Sequence, residues 1–389
     1  MTFAVQPLFK PLFTIRRTAD GALRIGETFP GRAVEIDDAD GAVYALLRRM
    51  DGTRTMDELY AATAADDPDT TREAFDECVR ALDEAGLLDD AAAAKRTSLS
   101  PPELDRFRAN AGFFSYRSSL TRSGWEMQEK LKTARVTVIG AGSLGSGVLF
   151  QLAGCGLSAV RVVDFDVVER SNLNRQLLYG ERDIGRPKLE AAADFMSRFR
   201  PDLRFEGVAR KIGSAEDALE AVRGSELVVL AADEPYFLLE RWVNEACVRL
   251  GIPFIGGGMN VAEGHCYTVV PGETGCIDCN HLLQSRANEL YAATIESCLA
   301  SGFRMPSAAI PSVYMMLAGM VGTEIVRRLT RYEPPQTEGK VVSLNFDTYT
   351  SSVVMAFPAP VAECPTCGGG GGEEPVFRLF GSEPAARHP

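Results

Sequence analysis

Histidine is scarce in this chain, three in 389 residues, and there are only two tryptophans. So little imidazole argues against histidine-based acid–base chemistry. No apolar run reaches the ~18 residues of a membrane span, so no membrane association is expected. The opening stretch MTFAVQPLFK lacks a basic start followed by an apolar core, and no signal peptide is expected. A basic excess is missing too. Lys plus Arg total 41 and Asp plus Glu 53, a net charge of −12. Nucleic-acid binding needs a cationic footprint that displaces counterions, so no nucleic-acid partner is expected. The nine cysteines are an odd number in a chain that reads as cytoplasmic. Metal ligands or free thiols account for them better than a disulfide framework.

What is present is an ordinary globular balance, 46% apolar and 24% charged. At ~150 residues per domain the length implies two or three domains. The first ninety residues predict a small α+β unit. Phe13–Arg17 and Ala22–Gly26 read as strands joined by the hairpin signal Asp20-Gly21, with a third strand at Ala33–Ile36. Helices follow over Asp40–Met50, after Thr55-Met-Asp-Glu58, and after Thr70-Thr-Arg-Glu73; the last two openings have the form of a capping box. The outline is winged-helix-like. Asp89–Ser100 reads as a linker, which gives expected divisions at 1–97, 98–372 and a flexible glycine-led tail over 373–389.

From Arg135 onward, apolar strand candidates alternate with helical stretches, as in a parallel βαβ sheet. After Gly258 strands dominate, so the sheet becomes mixed. Gly140-Ala-Gly-Ser-Leu-Gly145 follows a strand and opens a helix. In that context the glycines let backbone approach a phosphate, and the helix N-terminus favours its charge. Asp164 lies at the end of the next strand, about where a ribose hydroxyl would be held. Alone, this pattern fits a nicotinamide enzyme as well as a nucleotide-cleaving one. Cys276-Ile-Asp-Cys279 and Cys364-Pro-Thr-Cys367 are two CxxC pairs. Together they can supply the four thiolates of a closed, structural zinc site. Cys78, Cys155, Cys247 and Cys266 lie in apolar patterns and read as packing residues.

The run Val163-Asp-Phe-Asp-Val-Val-Glu-Arg-Ser-Asn-Leu-Asn-Arg-Gln176, followed by Ile184-Gly-Arg-Pro-Lys188, resembles the ubiquitin-activating-enzyme-like (ThiF/MoeB) adenylating superfamily over about residues 113–367. The resemblance implies a Rossmann-like adenylation domain that uses ATP and Mg²⁺, carries a structural Zn²⁺, and works as a homodimer. It implies that Gly140, Gly142, Gly145, Asp164, Asp166, Asn172, Arg175, Gln176 and Lys188 bind the nucleotide. Asp233, in Leu230-Ala-Ala-Asp233, matches the acid near Mg²⁺ and the adenylate. Arg117, in Phe114-Ser-Tyr-Arg117, matches an arginine that reaches the neighbouring subunit's ATP, although Ser118 follows where the family usually continues Arg-Gln. The catalytic set implied is Arg117, Arg175, Lys188 and Asp233. Fixed cations suit a reaction that cleaves ATP between its α- and β-phosphates.

Within the superfamily, Ala232-Asp-Glu-Pro235, Trp242-Val-Asn244, Pro271-Gly-Glu-Thr-Gly-Cys276 and Ser301-Gly-Phe-Arg-Met-Pro306 resemble the branch that adenylates the microcin C precursor peptide. The N-terminal unit is similar to leader-peptide recognition domains, in which a peptide adds a strand to a sheet edge. The function implied is adenylation of a carboxylate on a ribosomally made precursor peptide. The acyl-adenylate would be kept as a nucleotide adduct or consumed by cyclisation. The alternative is activation of a ubiquitin-like sulfur-carrier C-terminus.

Overall fold

The computed structural model describes residues 4–304, 308–370 and 372–380. It divides into two compact units. One comprises Met1–Leu131 with Thr330–Glu333, and the other Lys132–Leu329 with Pro334–Pro389. The division falls near residue 131, well beyond the boundary near 97 that composition indicates.

The first unit holds strands β1 (Pro7–Phe9), β2 (Ile15–Arg17), β3 (Leu23–Ile25), β4 (Val34–Ile36) and β5 (Leu88–Asp90). β2, β3 and β4 form an antiparallel three-stranded sheet, and β1 pairs with β5. Three helices follow β4: Ala42–Arg49, Met56–Asp66 and Arg72–Glu84. Thr55 and Glu58 close a reciprocal cap on the second helix, Glu58 accepting from the Thr55 amide at 2.8 Å. The third helix is capped by Thr71, one residue later than the sequence pattern places it. Phe75, Val79 and Leu82 present its buried stripe to Leu23, Ile25, Leu46 and Leu59. The expected linker is instead built into the fold. Asp89 and Asp90 are buried in β5, and Ala92 and Ala93 are buried in the 3₁₀ turn that follows. The reason is long-range: β5 pairs with β1 eighty residues earlier, a contact that local composition does not encode.

The second unit is an eight-stranded mixed sheet. Its strands are β6 (Val136–Ile139), β7 (Ala159–Asp164), β8 (Arg204–Ala209), β9 (Leu227–Leu230), β10 (Phe254–Met259), β11 (Glu263–Val269), β12 (Lys340–Asn345) and β13 (Ser351–Ala356). In space they run β13-β12-β11-β10-β9-β6-β7-β8. β10, β9, β6, β7 and β8 are mutually parallel, and β11 to β13 extend the sheet antiparallel. β6 and β9 are buried along their whole length, as expected of strands covered on both faces. β6 neighbours β7 on one side and β9 on the other, so the chain reverses direction across the sheet there. Such a switch point opens a crevice beyond the carboxyl ends of the strands. The helix Pro311–Thr330 buries Leu317, Val321 and Ile325, a four-residue spacing that keeps one face inward.

The stretch expected as a flexible tail holds a short helix, Pro375–Leu379. Val376 is fully buried there with Phe377 against Leu282 and Ile295, so this part is packed. Residues 381–389 of that expected tail, and Met305 and Pro306 of the quoted motif, lie outside the described residues. No helix among the described residues is long and apolar enough to cross a membrane.

Candidate active site and metal centre

At the switch point lies a cavity of about 440 Å³, within the usual range for a small-molecule site. The glycine turn forms its floor. Gly140 has φ +95°, and a Cβ there would meet the Ala231 carbonyl oxygen at 2.8 Å. A Cβ on Gly145 would lie 1.9 Å from the Gly140 oxygen, so that glycine lets the helix Ser143–Cys155 start tight against the turn. Asp164 pins the loop in place. One carboxylate oxygen accepts from the Ala141 amide at 2.7 Å and the other from the Asp166 amide at 2.8 Å. Tyr179 donates its hydroxyl to the Ala141 carbonyl at 2.8 Å. The first turn of the helix, with amides that have no intrahelical partner, faces the cavity at Gly142, Ser143 and Leu144.

Charge is arranged around this floor. Lys188, nearly buried, reaches Asp166 at 2.8 Å. Arg175 donates from one Nη to the Ser171 carbonyl at 2.6 Å, while its Nε is buried with no partner. The Oε1 of Gln176 is likewise buried and unpaired. Orphaned polar atoms of this kind are costly unless a ligand completes them, and both residues line the cavity. Asp233 lies at the end of β9, and burial pushes its carboxyl above the ordinary aspartate value. A cavity with a phosphate-compatible helix start, two cations and two unsatisfied polar groups fits a nucleoside triphosphate.

Gly140, Gly142, Asp164, Asp166, Arg175, Gln176, Lys188 and Asp233 therefore all line one cavity. Three other sequence-predicted residues do not. Gly145 acts through helix packing. Asn172 is buried in a turn, its Oδ1 accepting from the Glu169 amide at 3.0 Å, so it shapes the segment that carries Arg175. Arg117 lies in the first unit, ion-paired to Glu333 and stacked over Tyr116 and Tyr332 at 4.9 and 5.5 Å. Arg210, Glu234, Arg304 and Tyr314 also line the cavity and carry no motif of their own. Only the presence of Glu234 beside Asp233 and of Arg304 in the quoted Ser301–Pro306 run marked two of them.

The two CxxC pairs meet. Cys276 and Cys364 sulfurs are 3.6 Å apart, Cys279 and Cys367 3.3 Å, and all four lie within 4.8 Å of one another. Tetrahedral zinc with Zn–S bonds of ~2.3 Å needs sulfurs about 3.8 Å apart, so the set fits that ion. The surroundings suit bound thiolates. The Val361 amide donates to Cys279 Sγ at 3.4 Å. Asp278, 1% exposed, accepts from Arg241 at 2.6 and 2.9 Å and from the Thr366 hydroxyl at 2.6 Å, tying the two cysteine turns together. Cys247 and Cys266 are buried packing residues whose thiols burial pushes up.

Comparisons with known proteins agree on this architecture. The model of the ThiF family matches residues 116–366. The SAMP-activating enzyme E1 of Haloferax volcanii is 34% identical over 278 residues, 70% of this chain and 92% of that protein. The sulfur carrier protein ThiS adenylyltransferase of Bacillus subtilis is 32% identical over 255 residues, 64% of this chain and 73% of that one. Among solved structures, E. coli MccB with ATP superposes with a TM-score of 0.70 at 22% identity. The microcin C7 biosynthetic enzyme MccB in complex with N-formylated MccA gives 0.71 at 21%. Each superposition spans 93% of this chain and 99% of the other.

Proposed function

This chain belongs to the ThiF family and is an ATP-dependent adenylyltransferase, and from that premise we propose that it activates a carboxylate on a ribosomally made precursor peptide. In this reading ATP lies over the Gly140–Gly145 turn, with Asp164 toward the ribose and Arg175, Gln176 and Lys188 toward the phosphates. A peptide carboxylate oxygen bonds to the α-phosphorus as the bond to the α–β bridging oxygen breaks. Pyrophosphate leaves, and no proton has to move, which suits a cavity with no histidine among its described lining residues. Arg175 and Lys188 hold charge that builds on the departing phosphates. Asp233 would hold the Mg²⁺ that accompanies ATP, an ion that neutralises phosphate charge. The four cysteines would hold Zn²⁺ away from the reacting atoms, as a clasp on the fold. Arg117 keeps a proposed role at a second subunit's nucleotide.

The observation that carries adenylation is the cavity, with its unpaired Arg175 Nε and Gln176 Oε1. The peptide assignment is supported by reach. The likeness to MccB extends over 93% of the chain, whereas the sulfur-carrier and SAMP enzymes match at most 70% of it. The surplus has room for the first unit, whose β2–β3–β4 sheet and Arg72–Glu84 helix would receive a leader peptide as an added strand. The second reading, activation of a ubiquitin-like carrier, is favoured by the higher identity to those enzymes. ATP–pyrophosphate exchange separates the two. Exchange driven by a short peptide encoded beside this chain, and not by a carrier ending in Gly-Gly, supports the first. The reverse pattern establishes the second.

A further inference from the structure

Four cations line the cavity, and three are held at the end where the β6, β7 and β8 strands finish. Lys188 is tied to Asp166, Arg175 to the Ser171 carbonyl, and Arg210 to Glu220 and Asp217. Arg304 is placed differently. It approaches Glu234, next to Asp233 beyond the end of β9, at 3.3 Å. Both members of this pair face solvent, with side chains 59% and 47% exposed. Exposed pairs of this kind are worth about 0–1 kcal/mol, so the partner can be exchanged at little cost.

The position of Arg304 does not depend on that ion pair. Its neighbour Phe303 packs edge-on against Tyr236, two residues beyond Glu234, with ring centroids 5.5 Å apart. This aromatic contact keeps both segments side by side when the charges separate. An Arg–Asp pair in the same unit shows the contrast. Asp278 is buried, Arg241 is 21% exposed, and the pair is bidentate, an arrangement that holds structure together.

An adenylating enzyme faces an electrostatic difficulty at this end. The incoming nucleophile is an anion, and Asp233 and Glu234 would repel it. We propose that Arg304 receives the carboxylate of the acceptor, with Glu234 standing in its place until the acceptor arrives. Arg304 then selects for a free carboxylate and presents it beside Asp233. The inference rests on the adenylation reading, and it assigns the acceptor end of the cavity whichever acceptor is used.

The test uses the full chain loaded with α,β-methylene-ATP, which blocks turnover, and N-acetylglycylglycine as probe, titrated by ligand-observed NMR beside its C-terminal amide. The wild type should bind the acid about tenfold tighter than the amide, the size expected of one charge-assisted contact. Arg304→Ala should abolish that preference and Arg304→Lys should keep part of it. Glu234→Gln should tighten acid binding severalfold. Each variant is compared at saturating nucleotide, so that the ratio of acid to amide affinity is the quantity read. An acid preference that survives Arg304→Ala, a Glu234→Gln variant that binds the acid no better, or a nucleotide-loaded wild type that does not distinguish acid from amide would each overturn the proposal. Failure of the wild type to bind the nucleotide at all would instead overturn the adenylation reading beneath it.

Discussion

The cavity and the cysteine cluster are built from the same sheet, yet they treat their charged groups differently. Around the cysteines the charged group is matched, although Asn280 Oδ1 and His281 Nε2 on the same helix are buried without partners. Asp278 has Arg241 and Thr366, and Cys279 has the Val361 amide. Around the cavity, Arg175 Nε and Gln176 Oε1 are buried without partners, Asp233 is raised by burial, and Glu234 and Arg304 hold each other loosely. A group that must grip a ligand has to be left incomplete, because a fully satisfied one has nothing to offer. A clasp has the opposite requirement. The difference separates the site that works from the site that holds.

Removing one cysteine should give the largest effect. Cys364→Ala is expected to take zinc from about one per chain to near zero by elemental analysis. Metal binding is worth ~10–16 kcal/mol in small zinc domains, so even partial coupling should lower the melting temperature by about 10 °C or more. A melting temperature unmoved by the variant and by chelator would mean that the cluster is not a clasp. Next in size, Lys188→Ala should slow ATP–pyrophosphate exchange by about 10²–10³-fold, the loss typical of one charge-stabilising group. Its melting temperature should hardly change, since its partner Asp166 is half exposed. Destabilisation comparable to that of the cysteine variant would erase the contrast between the two sites.

The smallest effect is in the pH profile. In the proposed role Asp233 acts in its ionised form, and burial raises the pH at which that form is lost above the ordinary 3.8. Exchange activity should therefore fall on the acid side as pH drops through this raised value. Asp233→Asn should be slow and should lack that acid limb. An acid limb identical in wild type and variant would assign it to another group.

Much of the catalytic half is legible residue by residue because its signals are local. Gly140 needs a positive φ, Gly145 a close approach, and Lys188 opens the helix Lys188–Phe199 at the expected residue. The mixed sheet also follows from the alternation up to Gly258 and the strands after it. Asp89–Ser100 reads as a linker because its alanines and charges look featureless until β1 is laid beside β5. The helix at Pro375–Leu379 is similar. Five residues carry no periodicity to read, and burial of Val376 against Leu282 and Ile295 is what fixes them. Arg210 was invisible as a cavity residue, since an arginine outside a motif looks like any solvated one, and only its place in the Ser301–Pro306 run marked Arg304.

By itself the sequence determined the chemistry that one turn can hold: a phosphate-compatible glycine loop, two cysteine pairs, and an acid-rich chain with almost no imidazole. Tertiary structure alone decided which of these groups meet. Cys276 and Cys364 stand 88 residues apart in the chain, and their turns are brought together with β11, β12 and β13 of the same sheet. Glu234 and Arg304 are joined through the Tyr236–Phe303 contact. Turn geometry is set by neighbouring residues, whereas such meetings depend on how the whole sheet orders its strands.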